Sequence, residues 1–230
     1  MKDSMKYIAE NLEGLYDKNE IDSFIYLIFN HLLGYGRKEM ILMRNEILST
    51  ENKERIHEVV ERLKVFEPVQ YILGETEFYG LRFFVKPGVL IPRNETEELV
   101  DLIIKRNKHK KISVLDVGTG SGCIPVAVKK YIPESEVWSC DISETALSVA
   151  KENAFRNSVE IFFVNFDILS NQTFPVTGFD IIVSNPPYVT EKEKQLMQPN
   201  VLEYEPHEAL FVPDNDPLKF YRAIIEKADT

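Results

Sequence analysis

The sequence predicts an α/β protein: a small helical segment, a β-hairpin, and then a doubly wound, mostly parallel sheet. Three observations carry this. Apolar residues recur at helical spacing through roughly residues 1–75. The period shortens to a strand-like one from Glu77. From Lys111 onward, short β-branched runs alternate with helical stretches, the pattern of βαβ units.

In the first segment Ile56, Val59, Val60 and Leu63 fall on one helical stripe, which Pro68 halts. Phe24, Leu27, Ile28 and Leu32 form a second stripe. Met5 to Leu15 and Glu39 to Leu48 are two further expected helices, with Gly34 and Gly36 between the second and third. Phe78 to Val85 then reads as a strand, Pro87-Gly88 as a turn and Val89-Leu90-Ile91 as its continuation, giving a hairpin linker over residues 76–92. A helix follows Pro92-Arg93, with Asn94 or Thr96 as the expected cap.

Residues 93–230 are expected to form the sheet domain. Val114 to Val117, Val137 to Cys140, Ile161 to Val164 and Phe179 to Ser184 are its strands. Helices run from Cys123 to Tyr131, from Ser143 to about Asn157, and from Lys219 to Lys227. A crossover helix at Lys219 should lead into another strand, so the sheet is expected to be cut short.

Composition limits the function. The chain has 230 residues, 44% hydrophobic and 28% charged, with a net charge of −10. That acidity argues against a nucleic-acid partner or an anionic membrane surface. No apolar run approaches the roughly 18 residues of a membrane span. Cys123 and Cys140 have neither disulfide nor metal-ligand spacing, which places the chain in a reducing, cytoplasmic setting without a metal. His31, His57, His109 and His207 are scattered and read as structural or solvated.

Two stretches carry chemistry. Gly118-Thr119-Gly120-Ser121-Gly122 lies between a strand and a helix, where glycines let the backbone approach a ligand and expose amides. Its spacing misses the dinucleotide fingerprint and the phosphate-binding P-loop. Asp141 ends the second strand, where an acidic residue accepts hydrogen bonds from ribose hydroxyls. Asp167 follows the third strand and is expected to accept from an adenine amino group, with Ile168 against the ring. The other stretch is Asn185-Pro186-Pro187-Tyr188, at the end of the fourth strand. Prolines restrict the residues before them to extended shapes. The Asn185 side-chain oxygen and the Pro186 carbonyl are thus held as two acceptors for a planar N–H group, beside the Tyr188 ring. A nitrogen gripped this way is oriented for attack on a methyl donor, and Asn185, Pro186 and Tyr188 are the expected catalytic residues.

Several longer stretches carry a family resemblance: Gln70 to Gly74 with Glu77 to Leu81, Val89 to Arg93, Leu115 to Cys123, Ile182 to Tyr188, and Glu205-Pro206 with Ala209-Leu210. On these the chain resembles the bacterial-type glutamine methyltransferases that modify peptide chain release factors. The resemblance implies a Rossmann-like class I methyltransferase sheet and S-adenosylmethionine as cofactor. It implies methyl transfer to the side-chain amide of the glutamine in a release factor's Gly-Gly-Gln loop. Gly118 to Gly122, Asp141, Asp167, Ile168 and Asn185 are then cofactor residues. Asn185 to Tyr188 hold the glutamine, and the helical segment 1–75 helps dock the partner. Asn94 stands where the family reads proline, and Pro217 alters a loop that usually contains glycine. Similar proteins continue beyond position 230 with further strands, so the sequence reads as truncated at its C-terminus, with the Asn185 strand at an open edge. Two alternatives remain: a methyltransferase acting on adenine amino groups in nucleic acid, and a non-catalytic module that binds S-adenosylmethionine or a release factor.

Overall fold

The computed structural model describes residues 1–228. The chain divides into two compact units, Met1–Leu73 and the remainder from Gly74.

The first unit is helical. Helices α1 (Lys2–Leu12), α2 (Lys18–Leu33), α3 (Arg37–Leu42), α4 (Thr50–Leu63) and α5 (Val69–Leu73) surround one apolar core. The stripe Ile56, Val59, Val60 and Leu63 is buried in it, together with Ile8, Leu12, Ile28 and Phe29. Asp17 and Ser49 cap α2 and α4 by accepting from the backbone N–H three residues on. The helix expected over Glu39–Leu48 begins and ends earlier. The chain leaves α3 after Leu42 so that Leu48 reaches the core and Ser49 caps the next helix. The short α5 was not expected.

In the second unit β1 (Glu75–Phe78) and β2 (Leu81–Phe84) form an antiparallel hairpin. Its turn lies at Tyr79-Gly80, not at Pro87-Gly88 as expected. Both turn residues have positive φ, 50° and 70°, the backbone of a type I′ turn. Tyr79 hides this from a sequence reading, because such turns favour Asn or Gly. Its cost is offset by contacts: the Tyr79 hydroxyl donates to Asp101, and the ring meets Tyr131 edge-on. Val89 to Ile91 is irregular chain rather than a strand, with Val89 and Ile91 buried.

Helix α6 (Asn94–Asn107) follows, then β3 (Ser113–Val117), α7 (Cys123–Tyr131), β4 (Glu136–Asp141), α8 (Glu144–Arg156), β5 (Phe162–Asn165) and β6 (Ile181–Ser184). The last four strands named form one parallel sheet in the order β5-β4-β3-β6. β3 is central, buried on both faces through Val114, Leu115 and Val117. Val114, Val183, Val126, Val128 and Ile104 pack in the larger core, and Leu115, Val117, Phe166 and Phe174 in a smaller one. Beyond β6, β7 (Val189–Thr190) pairs in parallel with β8 (Phe211–Val212); α9 (Pro199–Tyr204) lies between them and α10 (Lys219–Ala228) comes last. Among the described residues no helix is long and apolar enough to cross a membrane. Cys123 and Cys140 are buried and unpaired with each other, and burial pushes both thiols up to about 12.

The start of α7 depends on Gly122, which has φ +79°. A Cβ there would sit 2.9 Å from the Ala150 Cβ of α8. Gly118 shares the positive φ but has open space around a Cβ. Gly118→Ala should therefore cost only the left-handed strain, about 1–2 kcal/mol. Gly122→Ala should cost more, about 2–4 kcal/mol, because overpacking adds to the strain. Urea unfolding of the two variants distinguishes these outcomes; equal losses would mean that the α7–α8 contact yields freely.

Candidate functional site

Parallel strands of one sheet end on the same side. The glycine turn follows β3, Asp141 closes β4, Asp167 follows β5 and Asn185 follows β6. Along the sheet these loops succeed one another in the order Asp167, Asp141, Gly118, Asn185. Three strand spacings amount to about 14 Å, the length of a nucleoside with a short side arm. The sheet reverses its direction of growth between β3 and β6, and ligands of open α/β sheets bind at such a crevice.

The turn is built by internal bonds. Gly118 and Thr119 N–H both donate to the Cys140 carbonyl, at 2.9 and 3.0 Å. Gly122 N–H donates to the Thr119 carbonyl. Gly120 N–H donates to Asp141 Oδ2 at 2.9 Å, and Ser143 N–H to Asp141 Oδ1 at 2.9 Å. The expectation of freely exposed amides in the turn is thereby corrected: those of Gly118, Thr119, Gly120 and Gly122 are used within the fold. Positive φ at Gly118, Gly120 and Gly122 is what allows this folding back. A Cβ at Gly118 or Gly120 would meet nothing within 4 Å, so a ligand can lie directly on the turn.

The turn therefore offers acceptors more than donors. Asp141 keeps lone pairs free on both oxygens after its two backbone bonds. Burial pushes its carboxyl upward, against the pull of the Gly120, Ser143 and Ile142 N–H groups. Beneath it Asp116 is fully buried, and its Oδ2 accepts from Ser139 Oγ at 3.0 Å. Asp116 Oδ1 and Thr119 Oγ1 are buried without a hydrogen-bond partner. The Thr119 hydroxyl lies near enough to lower the Asp116 pKa, yet at a geometry that closes no bond. Carboxylates with spare lone pairs suit a cationic ligand bearing hydroxyls. They repel a phosphate, which agrees with the missing phosphate motifs.

Asp167 Oδ1 accepts from Leu169 N–H at 2.8 Å, tying its own loop. Ile168 packs against the smaller core and lines an apolar cavity of about 80 Å³ with Leu115, Val117, Phe174, Phe179 and Ile182.

Asn185 lies across β3 from Asp141. Ser184 Oγ donates to the Val117 carbonyl at 2.6 Å, which fixes the end of β6 beside the turn. Asn185 Nδ2 donates to Thr96 Oγ1 at 3.3 Å. Its Oδ1 is left as an acceptor, and among the described residues no protein group donates to it or to the Pro186 carbonyl. Pro186 is buried, Pro187 half-buried, and the Tyr188 ring is 57% exposed. On the far side Val189 N–H donates to the Leu210 carbonyl, anchoring β7.

Sequence reasoning missed two of these supports. Thr96 was read as a helix cap, but Arg93 occupies that position and no side chain caps α6. Glu205 was read only as part of a motif. It is buried, its Oε1 paired with Arg93 Nη2 at 2.7 Å and its Oε2 accepting from Ile91 N–H at 3.2 Å. Acidic and basic residues far apart in the chain carry no local signal of such a pair.

Burial lifts the Asp116 pKa from 3.8 to about 7, with the hydroxyls opposing. Over that interval the folded protein keeps a proton that the unfolded chain releases. The group's stabilising contribution is full below pH 3.8, falls as pH rises toward about 7, and is flat above it. Urea midpoints should thus decline between about pH 4 and pH 7, and Asp116→Asn should flatten that decline. An unchanged pH slope in the variant would contradict the burial.

A family model described as "Methyltransferase small domain" matches residues 86–204, and one described as "PrmC N-terminal domain" matches residues 4–74. The release factor glutamine methyltransferase of Bacteroides thetaiotaomicron is 46% identical over 220 residues, 96% of this chain and 79% of that protein. The Flavobacterium psychrophilum protein of the same name is 44% identical over 232 residues, 99% of this chain and 81% of its own. In fold alone, the second unit's type of sheet recurs in the hMettl16 catalytic domain. That structure has a TM-score of 0.50 and 15% identity, covering 78% of this chain and 63% of that one. The chain belongs to the release factor glutamine methyltransferase family.

Proposed function

We propose that the chain transfers a methyl group from S-adenosylmethionine to the side-chain amide nitrogen of the glutamine in the Gly-Gly-Gln loop of peptide chain release factors. The observation that carries this is the pair of open acceptors at the end of β6, Asn185 Oδ1 and the Pro186 carbonyl, one strand from an acceptor-rich glycine turn.

The residues present fit the cofactor. Open space over Gly118 and Gly120 admits it, Asp141 has lone pairs for ribose hydroxyls, and the unpartnered Asp116 Oδ1 and Thr119 Oγ1 await a polar group. Thr119 and Ser121 shape the turn between its glycines, and Asp167 with Ile168 would flank the adenine. When bound, S-adenosylmethionine supplies an electrophilic methyl group on a positively charged sulfur.

This chain's own residues do the rest. An amide nitrogen is a poor nucleophile because its lone pair is delocalised into the carbonyl. Asn185 Oδ1 and the Pro186 carbonyl would each accept one of its two N–H bonds, fixing its plane and turning the lone pair toward the methyl group. Pro187 keeps the loop extended, and Tyr188 offers its ring to the planar amide. Holding two reactants in line contributes up to about 7–11 kcal/mol, so no strong base is needed before attack. As the N–C bond forms, the C–S bond breaks to leave a neutral thioether, and one N–H proton passes to solvent. We assign docking of the release factor to the helical unit, the region that matches the N-terminal family model.

Incubation with a release factor and methyl-labelled cofactor should label one glutamine. Label on nucleic acid alone would favour the adenine reading, and cofactor binding without any transfer would favour a binding module. Asn185→Ala should reduce kcat by about 100-fold or more while cofactor affinity by calorimetry stays within a few-fold. Loss of cofactor binding in that variant would contradict the role given to Asn185.

A further inference from the structure

We propose that Thr96 is a positioning residue: its hydroxyl restrains the rotation of the Asn185 side chain, keeping Oδ1 toward the substrate. The proposal rests on the methyl-transfer reading for its consequence, though not for its geometry. An asparagine side chain is nearly symmetric in shape but opposite in hydrogen-bonding sense at its two ends. Turned over, Asn185 would present Nδ2 to the substrate, a donor facing a donor, and the grip would fail. Rotation of the side chain must therefore be restrained. Thr96 Oγ1 lies 3.3 Å from Asn185 Nδ2 and accepts from it.

Thr96 is itself fixed. It is buried in the first turn of α6, and its N–H donates to the Arg93 carbonyl at 3.0 Å. Arg93 is held by Glu205, whose side chain is 2% exposed and also accepts from Ile91 N–H. Glu205 follows the Asn185–Tyr188 loop in the chain. The loop is thus bracketed: Thr96 holds its first residue, and Glu205 ties the segment beyond it to the strand of chain that carries Thr96. On this reading Thr96 acts through Asn185, whose Nδ2 donates to it.

Thr96→Val keeps the shape and removes the hydroxyl; Thr96→Ser keeps the hydroxyl. Thr96→Val should lower kcat by about 10-fold, the worth of one hydrogen bond, with the KM for cofactor and the melting temperature nearly unchanged. Thr96→Ser should restore most of the rate. A second measurement does not depend on turnover. In ¹⁵N-labelled protein the Asn185 side-chain NH₂ pair, identified by its absence in Asn185→Ala, should exchange with solvent about 10-fold faster in Thr96→Val. If the unaltered chain transfers no methyl group, the functional reading fails, and the exchange measurement alone decides whether Thr96 holds Asn185. Wild-type kcat in Thr96→Val, unchanged exchange, or an equal loss in Thr96→Ser would each overturn the proposal.

Discussion

β3 hydrogen-bonds to β4 on one side and β6 on the other, with Val117 opposite both Cys140 and Ser184. Because all three strands run the same way, their chains leave the sheet together. The register decides that the glycine turn, Asp141 and Asn185 emerge at one level. A slip of one residue would exchange the two buried faces of β3, moving Val114 out of the larger core and Leu115 and Val117 out of the smaller one, so packing enforces the register that the site needs. Ser184 adds a specific lock, because its hydroxyl reaches the Val117 carbonyl just before the chain enters the glycine turn. The apolar core and the site are therefore two consequences of the same strand pairing.

The glycine turn shows how the fold selects a ligand by charge. Four of its amides fold back on Cys140, Thr119 and Asp141, which leaves fewer donors to hold a phosphate. What remains are carboxyl oxygens, one of them buried on Asp116 without a partner. Burying that acid is costly, and its raised pKa records the cost.

The Asn185 loop is stiffened differently. Two prolines restrict its backbone, but they cannot decide the rotation of the Asn185 side chain. That falls to contacts from outside the loop: Thr96 on α6, and behind it the Arg93–Glu205 pair. Such a pair is a weak source of net stability, since desolvation opposes the attraction. Its value here is geometric, joining two segments more than a hundred residues apart in the chain.

The sequence by itself determined the kinds of element and their order. Helical stripes, β-branched runs and the Gly118–Gly122 and Asn185–Tyr188 stretches are local patterns, and local patterns follow from backbone sterics and period. It also placed the start of α8 at Ser143, whose side chain caps it, since a cap acts within one turn. It misplaced the hairpin turn because Tyr79 adopts a glycine-like conformation that contacts with Glu97, Asp101 and Tyr131 sustain. It gave Thr96 a capping role because a threonine at a helix start looks the same whether it bonds its own backbone or a side chain from another strand. The tertiary structure alone decided the strand order, the engagement of the turn's amides, the burial of Asp116 and the partnership of Thr96 with Asn185. Each of these depends on groups distant in sequence brought within hydrogen-bond range, and no local pattern records such a distance.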